Sequence, residues 1–200
     1  MKIKLEKYNP GWVEDFIKIK DELIELIGFI HPQIEHIGST SVEGLSAKPI
    51  IDILIGVGNQ GDLDKTIEPL IKNGYVYYEK YNDDMPYRRF FVKHKTGFKD
   101  SSLSQIITKK DLTPASTEEH SQRLAHIHIL PYNAEHWIRH IAFRDYLRTH
   151  PDVKNQYQKL KEQLSNGEWR DGNEYNEAKD SFLKIEEKNA VNWYKQNSDQ

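Results

Sequence analysis

The spacing of apolar residues changes period repeatedly along this chain, and each change marks an element. Met1, Ile3 and Leu5 alternate with lysines, the two-residue period of a strand. From Asn9-Pro10 the period lengthens, with Trp12, Phe16, Ile19, Leu23 and Ile27 at three- and four-residue intervals. That predicts a helix with one apolar stripe laid on a sheet. Ile50-Ile51-Asp52-Ile53-Leu54-Ile55 is a short run with one interruption, as in a strand buried on both faces. A helix follows from about Asp62 to Lys72, ended by Asn73-Gly74, then strands near Tyr75–Tyr78 and Tyr87–Val92.

Lys95 to Gln122 is polar apart from Leu103, Ile106 and Ile107, which predicts a long connection, either a lid or a loose surface excursion. The last strand, Leu124 to Leu130, sets Leu124, His126, His128 and Leu130 on one face and Ala125, Ile127 and Ile129 on the other. Helices are predicted over Ala134–Thr149, Pro151–Ser165 and Glu174–Gln196, with Tyr175, Phe182, Ile185 and Trp193 on one stripe of the last. The pattern is α+β. It gives a mixed sheet with helices on one face and a C-terminal helical segment, in one domain with a sheet core over 1–130 and a helical extension over 131–200.

Composition narrows the chemistry. The chain has no cysteine, which excludes disulfides, thiolate nucleophiles and Cys-based zinc sites, so a metal would need carboxylates and histidines. A net charge of −3 gives no bulk attraction to nucleic acid, and small-molecule partners are expected instead. No apolar run approaches membrane-spanning length, and the amino end lacks the apolar core of a signal peptide. A cytoplasmic location without a membrane partner is expected.

Candidate chemistry gathers around residues 35–55. Gly38 and Gly44 can take backbone angles closed to other residues, so the loop between them can turn its N–H groups and the hydroxyls of Ser39, Thr40 and Ser41 toward one point that suits a phosphate. Asp52, inside an isoleucine run, needs an ion-pair, hydrogen-bond or metal partner. Lys48 can pair with it or meet a phosphate. His126 and His128 share a strand face and, with Asp52, form a two-His, one-carboxylate metal set; alternatively they bond to backbone, carboxylate or phosphate groups. His36 either packs under the loop or acts as a ligand. Arg88 and Arg89 occupy adjacent strand positions, so only one can face the site, and Arg89 is among the phosphate candidates. Arg144 and Arg148 stand four apart on one helix and need an anion or a carboxylate such as Asp145 between them. Tyr157/Lys161 and Tyr175/Lys179 repeat one spacing, placing a ring beside an ammonium. Such a pair suits a base and its phosphate, or ordinary bundle packing.

Two patterns in these residues resemble known proteins. Gly38-Ser39 followed, after twelve residues, by Asp52 on an apolar strand resembles the nucleotidyltransferase superfamily signature. More closely, His36 to Ile53 resembles the GrpB family pattern His-Ile-Gly-Ser-Thr-x-Val-x-Gly-Leu-x-Ala-Lys-Pro-Ile-Ile-Asp-Ile. The likeness continues through His126-Ile127-His128, Phe143 to Arg148 and the two Tyr/Lys pairs. The resemblance implies a nucleotidyltransferase-like fold that binds a nucleotide or related phosphorylated ligand. Lys48, Asp52 and His128 would be catalytic, with a divalent ion, Mg²⁺ or Mn²⁺, on Asp52, His126 and His128. Gly38, Ser39, Thr40, Ser41, Arg89, Arg144, Tyr157, Lys161, Tyr175 and Lys179 would bind the ligand. The superfamily's second carboxylate is missing, because Ile50 and Leu54 stand at the positions that share Asp52's face. The alternative is a non-catalytic nucleotide- or CoA-binding module, the CoA link coming from family members fused to dephospho-CoA kinase.

Overall fold

The computed structural model describes residues 2–95, 105–111, 120–170 and 172–198. Helix α1 (Gly11–Ile27) precedes strands β1 (Gln33–Ile37) and β2 (Ile51–Val57). Two short helices, α2 (Gly61–Lys65) and α3 (Ile67–Lys72), lead to β3 (Val76–Tyr77) and β4 (Arg89–His94). After β5 (Arg123–Pro131) come α4 (Glu135–Thr149), α5 (Pro151–Ser165) and α6 (Gly172–Ser198). The sheet order is β1-β2-β5-β4-β3, with β2 and β5 parallel at the centre and the other pairings antiparallel. The architecture is the expected α+β arrangement.

Register decides what each face carries. Asp52 lies opposite Ile37 on one side and His126 on the other, and His128 lies between Leu54 and Phe90. Ile51, Ile53, Ile55, Ala125, Ile127 and Ile129 turn to the opposite face, against Trp12, Ile19, Leu23 and Ile27 of α1 and Leu63 and Leu70 of α2 and α3. Each fully buried aliphatic contributes roughly 1.5–3 kcal/mol relative to exposure, so this dry face anchors the sheet. On the polar face α4 closes only one end, with Trp137 and Ile141 over Ile37, Leu54 and Leu130. The rest of that face floors a cavity roofed by α5 and α6.

Four expectations change. The amino-terminal strand reduces to a single bridge between Glu6 and Ala47. Its partner is a loop that soon reaches Pro49, which has no N–H to extend a ladder. The Asp62–Lys72 helix breaks at Thr66, whose hydroxyl bonds to the Leu63 carbonyl at 2.6 Å, while Pro69 leaves the Lys65 carbonyl without its helical donor. Ile185 is 61% exposed, because at about 100° per residue it lies some 80° off the line of Tyr175, Phe182 and Trp193. Within the Lys95–Gln122 connection, Ile106 bridges Tyr77 and Ile107 packs with Val76, Tyr78 and Val92. Residues 96–104 and 112–119 of that proposed lid lie outside the described residues. Among the described residues no helix is long and apolar enough to cross a membrane.

Gly56 sets how closely α4 approaches the sheet. A methyl group there would sit 2.8 Å from the Trp137 ring and 2.9 Å from Tyr132. Gly56→Ala is therefore expected to cost about 1–3 kcal/mol through overpacking. Urea denaturation should show a lower midpoint with an unchanged slope.

Candidate functional site

A cavity of about 710 Å³ opens between the polar face of the sheet and the C-terminal helices. Among the described residues its lining contains eight lysines and arginines and a single carboxylate, Asp52, although the chain as a whole is slightly acidic. Charge has been sorted by the fold so that the cavity suits an anion.

Asp52 sits on the floor, enclosed by protein yet 32% accessible through the cavity. His126, next to it across the β2–β5 pair, turns Nδ1 toward Asp52 Oδ1 at 3.2 Å. Burial is the largest influence on the carboxyl and pushes its pKa up. The His126 hydrogen bond and the charge of Lys48 contribute to outweighing it, so the group stays ionised below its usual range. Gly38 is fitted to this carboxylate. Its φ is 69°, and a Cβ there would stand 2.4 Å from Asp52 Oδ2. Only glycine gives both the left-handed turn and the contact.

The loop after Gly38 does not aim all its hydroxyls at one point. Thr40 bonds to His36 Nε2 at 3.0 Å, and that imidazole stacks on Phe16 with ring centres 4.8 Å apart. Ser41 donates to the Gly38 carbonyl at 2.7 Å. Ser39 alone of the three has its hydroxyl bonded to a cavity lysine, Lys161, at 3.1 Å. His36 thus packs under the loop. Burial, the main cause, lowers its pKa to about 4, so it is neutral at physiological pH.

Opposite Asp52, the two Tyr/Lys pairs meet although they come from different helices. Lys161 lies over the Tyr157 ring at 4.7 Å and Lys179 over the Tyr175 ring at 4.4 Å, while Lys48 approaches Tyr175 from the sheet side at 5.0 Å. Lys161 also donates to the Ser46 carbonyl. Among the described residues none of the three ammonium groups has a carboxylate within ion-pair distance. Burial, then the charge of Lys179, lowers the Lys161 pKa to about 7. Burial, then Lys48, lowers that of Lys179 to about 8. Burial also lowers Lys48, against the pull of Asp52. Holding three desolvated cations this close to one another costs stability.

Other expected site residues are placed elsewhere. Arg89 shares a face with Phe91 and Ile129, so it meets Asp64 of α2 at 2.6 Å on the helix-covered side. Arg88, one position earlier, enters the cavity. Arg144 touches the cavity but is committed to Glu35 at 2.6 Å and Asp145 at 2.8 Å, and it also bonds to the His36 carbonyl. Arg148 donates to the Ser41 carbonyl at 2.8 Å. Together they tie the glycine loop to α4 rather than awaiting a ligand. Asp52, His126 and His128 share the sheet face, yet among the described residues no three His, Asp or Glu side chains gather as a metal-holding group. His126 faces Asp52, whereas His128 Nδ1 meets the Arg88 guanidinium at 3.5 Å, a cation where a metal ion would have to sit. The residues in place do not fit a protein-held Mg²⁺ or Mn²⁺. Sequence reasoning gave no role to Arg123 or His140, which also line the cavity. Their tertiary placement, not a local motif, brings them there.

Lys179 makes the cleanest test of the stored repulsion, since Lys161 also serves the Ser46 carbonyl. Between pH 8 and 10.5 the unfolded chain holds a proton that the folded Lys179 has lost, so this group makes the empty protein gain stability as pH rises through that window. Lys179→Met should flatten that rise. At pH 7 it should raise the melting temperature by roughly 2–4 °C, the shift about 1 kcal/mol produces in a chain of this size. Calorimetric scans across pH would measure both, and a melting temperature lowered at pH 7 would contradict the account.

Comparison with known proteins places this geometry. The family model described as "GrpB protein" matches residues 2–188. The chain is 32% identical over 194 residues to the UPF0157 protein YqkA of Bacillus subtilis, covering 97% of this chain and 49% of that protein. It is 30% identical to the glutamate-rich protein GrpB of Alkalihalophilus pseudofirmus, covering 90% of each. A dephospho-CoA kinase of Mycolicibacterium paratuberculosis is 24% identical over 96% of this chain and 46% of its own length. The chain therefore spans about half of YqkA and of that kinase, and nearly all of the Alkalihalophilus protein. The crystal structure of the conserved protein GrpB from Enterococcus faecalis superposes with a TM-score of 0.74 at 30% identity, covering 96% of this chain and 99% of that one. With its cavity, its Gly38–Asp52 contact and its paired Tyr/Lys helices, this chain belongs to the GrpB family.

Proposed function

We propose that the cavity binds a nucleotide or related phosphorylated ligand, and that the protein is a binding module rather than a two-metal nucleotidyltransferase. The observation that carries this reading is the group of Lys161, beside Ser39 and the Tyr157 ring, and Lys48 and Lys179, over the Tyr175 ring, three largely desolvated ammonium groups without a carboxylate partner among the described residues. A phosphate would accept charge-assisted hydrogen bonds from them and relieve their mutual repulsion. Tyr157 and Tyr175 hold the lysine stems and offer ring surface to a base or sugar. Two-metal transfer needs paired carboxylates, and Ile50 and Leu54 occupy the positions where the partner of Asp52 would stand.

A second reading is favoured by the Asp52–His126 pair. A carboxylate that receives Nδ1–H of an imidazole leaves Nε2 as a proton acceptor, the arrangement of a general base; Arg123 Nη1 stands 3.3 Å from that Nε2, so a ligand hydroxyl reaches it only where the guanidinium moves aside. Under that reading a ligand hydroxyl would be deprotonated beside the phosphate subsite. The resemblance of Gly38-Ser39 and Asp52 to the nucleotidyltransferase signature supports transfer chemistry by analogy alone.

Calorimetric titration with pyrophosphate, ATP, CTP and CoA, each with and without Mg²⁺ or Mn²⁺, separates these readings. CoA belongs in the panel because similar proteins carry the name dephospho-CoA kinase. Binding without turnover is expected, and Lys48→Met, Lys161→Met and Lys179→Met should each weaken it tenfold or more, about 1.4 kcal/mol. Affinity should fall from pH 7 to pH 9 as Lys161 and Lys179 lose their protons. Asp52→Asn should tighten binding by removing the cavity's negative charge. Nucleotide turnover abolished by Asp52→Asn would establish the catalytic reading instead, and a panel in which nothing binds would remove both.

A further inference from the structure

Toward β4, away from Lys48, Lys161 and Lys179, the same cavity holds a further, half-buried cation, over the Tyr81 ring that it shares with Lys80. Arg88 stands just before β4, next to the strand that carries His128. Its guanidinium lies 5.3 Å from the Phe90 ring centre and 5.9 Å from that of Tyr81. These rings fix the fork but supply no countercharge. Its Nη1 reaches His128 Nδ1 at 3.5 Å, and its Nε is buried with no hydrogen-bond partner. Among the described residues no carboxylate pairs with it. Two further donors or acceptors surround the fork, since His128 and His140 have ring centres 6.0 Å apart, and both line the cavity. Burial keeps both imidazoles neutral at pH 7, so they neither repel nor compensate the guanidinium.

The geometry points to a second anion subsite at Arg88, His128 and His140, separate from the lysine subsite, so that the ligand carries two anionic groups. The inference rests on the reading of the lysine end as a phosphate site. Asp52 lies between the two subsites and explains their separation, because a carboxylate repels a phosphate from the middle of the cavity. From β2, where Asp52 sits, to β4 is two strand spacings, about 10 Å. A ligand with two phosphoryl or carboxylate groups held apart by a neutral spacer matches this layout; a single phosphate fills only half of it. Bidentate acceptance from an arginine fork favours a planar or tetrahedral oxyanion.

Two measurements test it. Adenosine 5′-monophosphate carrying a second phosphate on a neutral alkyl chain, long enough for the two phosphates to stand about 10 Å or more apart, should bind the wild-type protein at least tenfold more tightly than adenosine 5′-monophosphate itself. Arg88→Gln should erase that advantage and leave the monophosphate affinity within twofold, whereas Lys161→Met should weaken both. In parallel, inorganic phosphate titrated into imidazole-labelled protein should move the His128 and His140 NMR signals, and Arg88→Gln should abolish the movement while Lys161→Met retains it. This second arm reports on Arg88 even if the lysines bind nothing. Movement lost in Lys161→Met but kept in Arg88→Gln would overturn the subsite, as would a bisphosphate advantage that survives Arg88→Gln. Failure of Lys161→Met to weaken either nucleotide, with the Arg88 response intact, would instead remove the lysine reading and reduce the ligand to one anion at Arg88.

Discussion

A carboxylate inside an isoleucine strand is the constraint on which this structure turns. Asp52 cannot be left alone among apolar groups, because an unpaired buried charge costs several kcal/mol. The surrounding fold supplies what it needs in three directions. His126 offers a hydrogen bond across the central parallel pair, Gly38, having no side chain, leaves room, and Lys48 lends charge from the loop. The glycine loop in turn must be fixed from outside, and Arg144 and Arg148 of α4 do so by holding the His36 and Ser41 carbonyls. A helix far along the chain thus positions a turn near its beginning.

The lysine wall obeys the opposite logic. Ammonium groups on α5 and α6 are brought close to one another without carboxylates to neutralise them, in a structure whose other ion pairs, such as Lys93–Glu22 and Arg139–Glu187, are ordinary. Local electrostatic conflict that the fold does not resolve is characteristic of sites shaped for an absent group rather than for stability. Asp52 limits the conflict by giving the cavity floor one negative charge. The described lining carries Lys48, Lys161 and Lys179 by the two tyrosines of α5 and α6, and Arg88 with Lys80 by Tyr81.

Much of this was legible in residue order, and the parts that were not share a cause. The apolar stripe of α1, the alternation that puts His126 and His128 on one face, and the twin Tyr/Lys spacings are local patterns, and local geometry carried them into the structure. The choice between Arg88 and Arg89 is a matter of parity, which a strand leaves undecided until its register with Ile129 and His128 is known. Thr40 and Ser41 turned inward because their partners, His36 with its stacked Phe16 and the Gly38 carbonyl, already occupied them. The expected metal set meets the same competition: His128 shares a face with Asp52, yet the guanidinium of Arg88, just before β4, lies at its ring nitrogen. What sequence could not supply was competition among tertiary partners.

The central pair of parallel strands also shapes how the chain comes into being. β2 ends at Val57 and β5 begins only at Arg123, so the strand that flanks Asp52 emerges long after it during synthesis at ~5–20 residues per second. In that interval Ile50–Ile55 is a nearly unbroken β-prone segment with one edge waiting, the composition that promotes association between unfinished chains. Its sole charge is Asp52. The residue that the finished fold must work to accommodate is, on the ribosome, the gatekeeper that keeps this strand from pairing with the wrong neighbour.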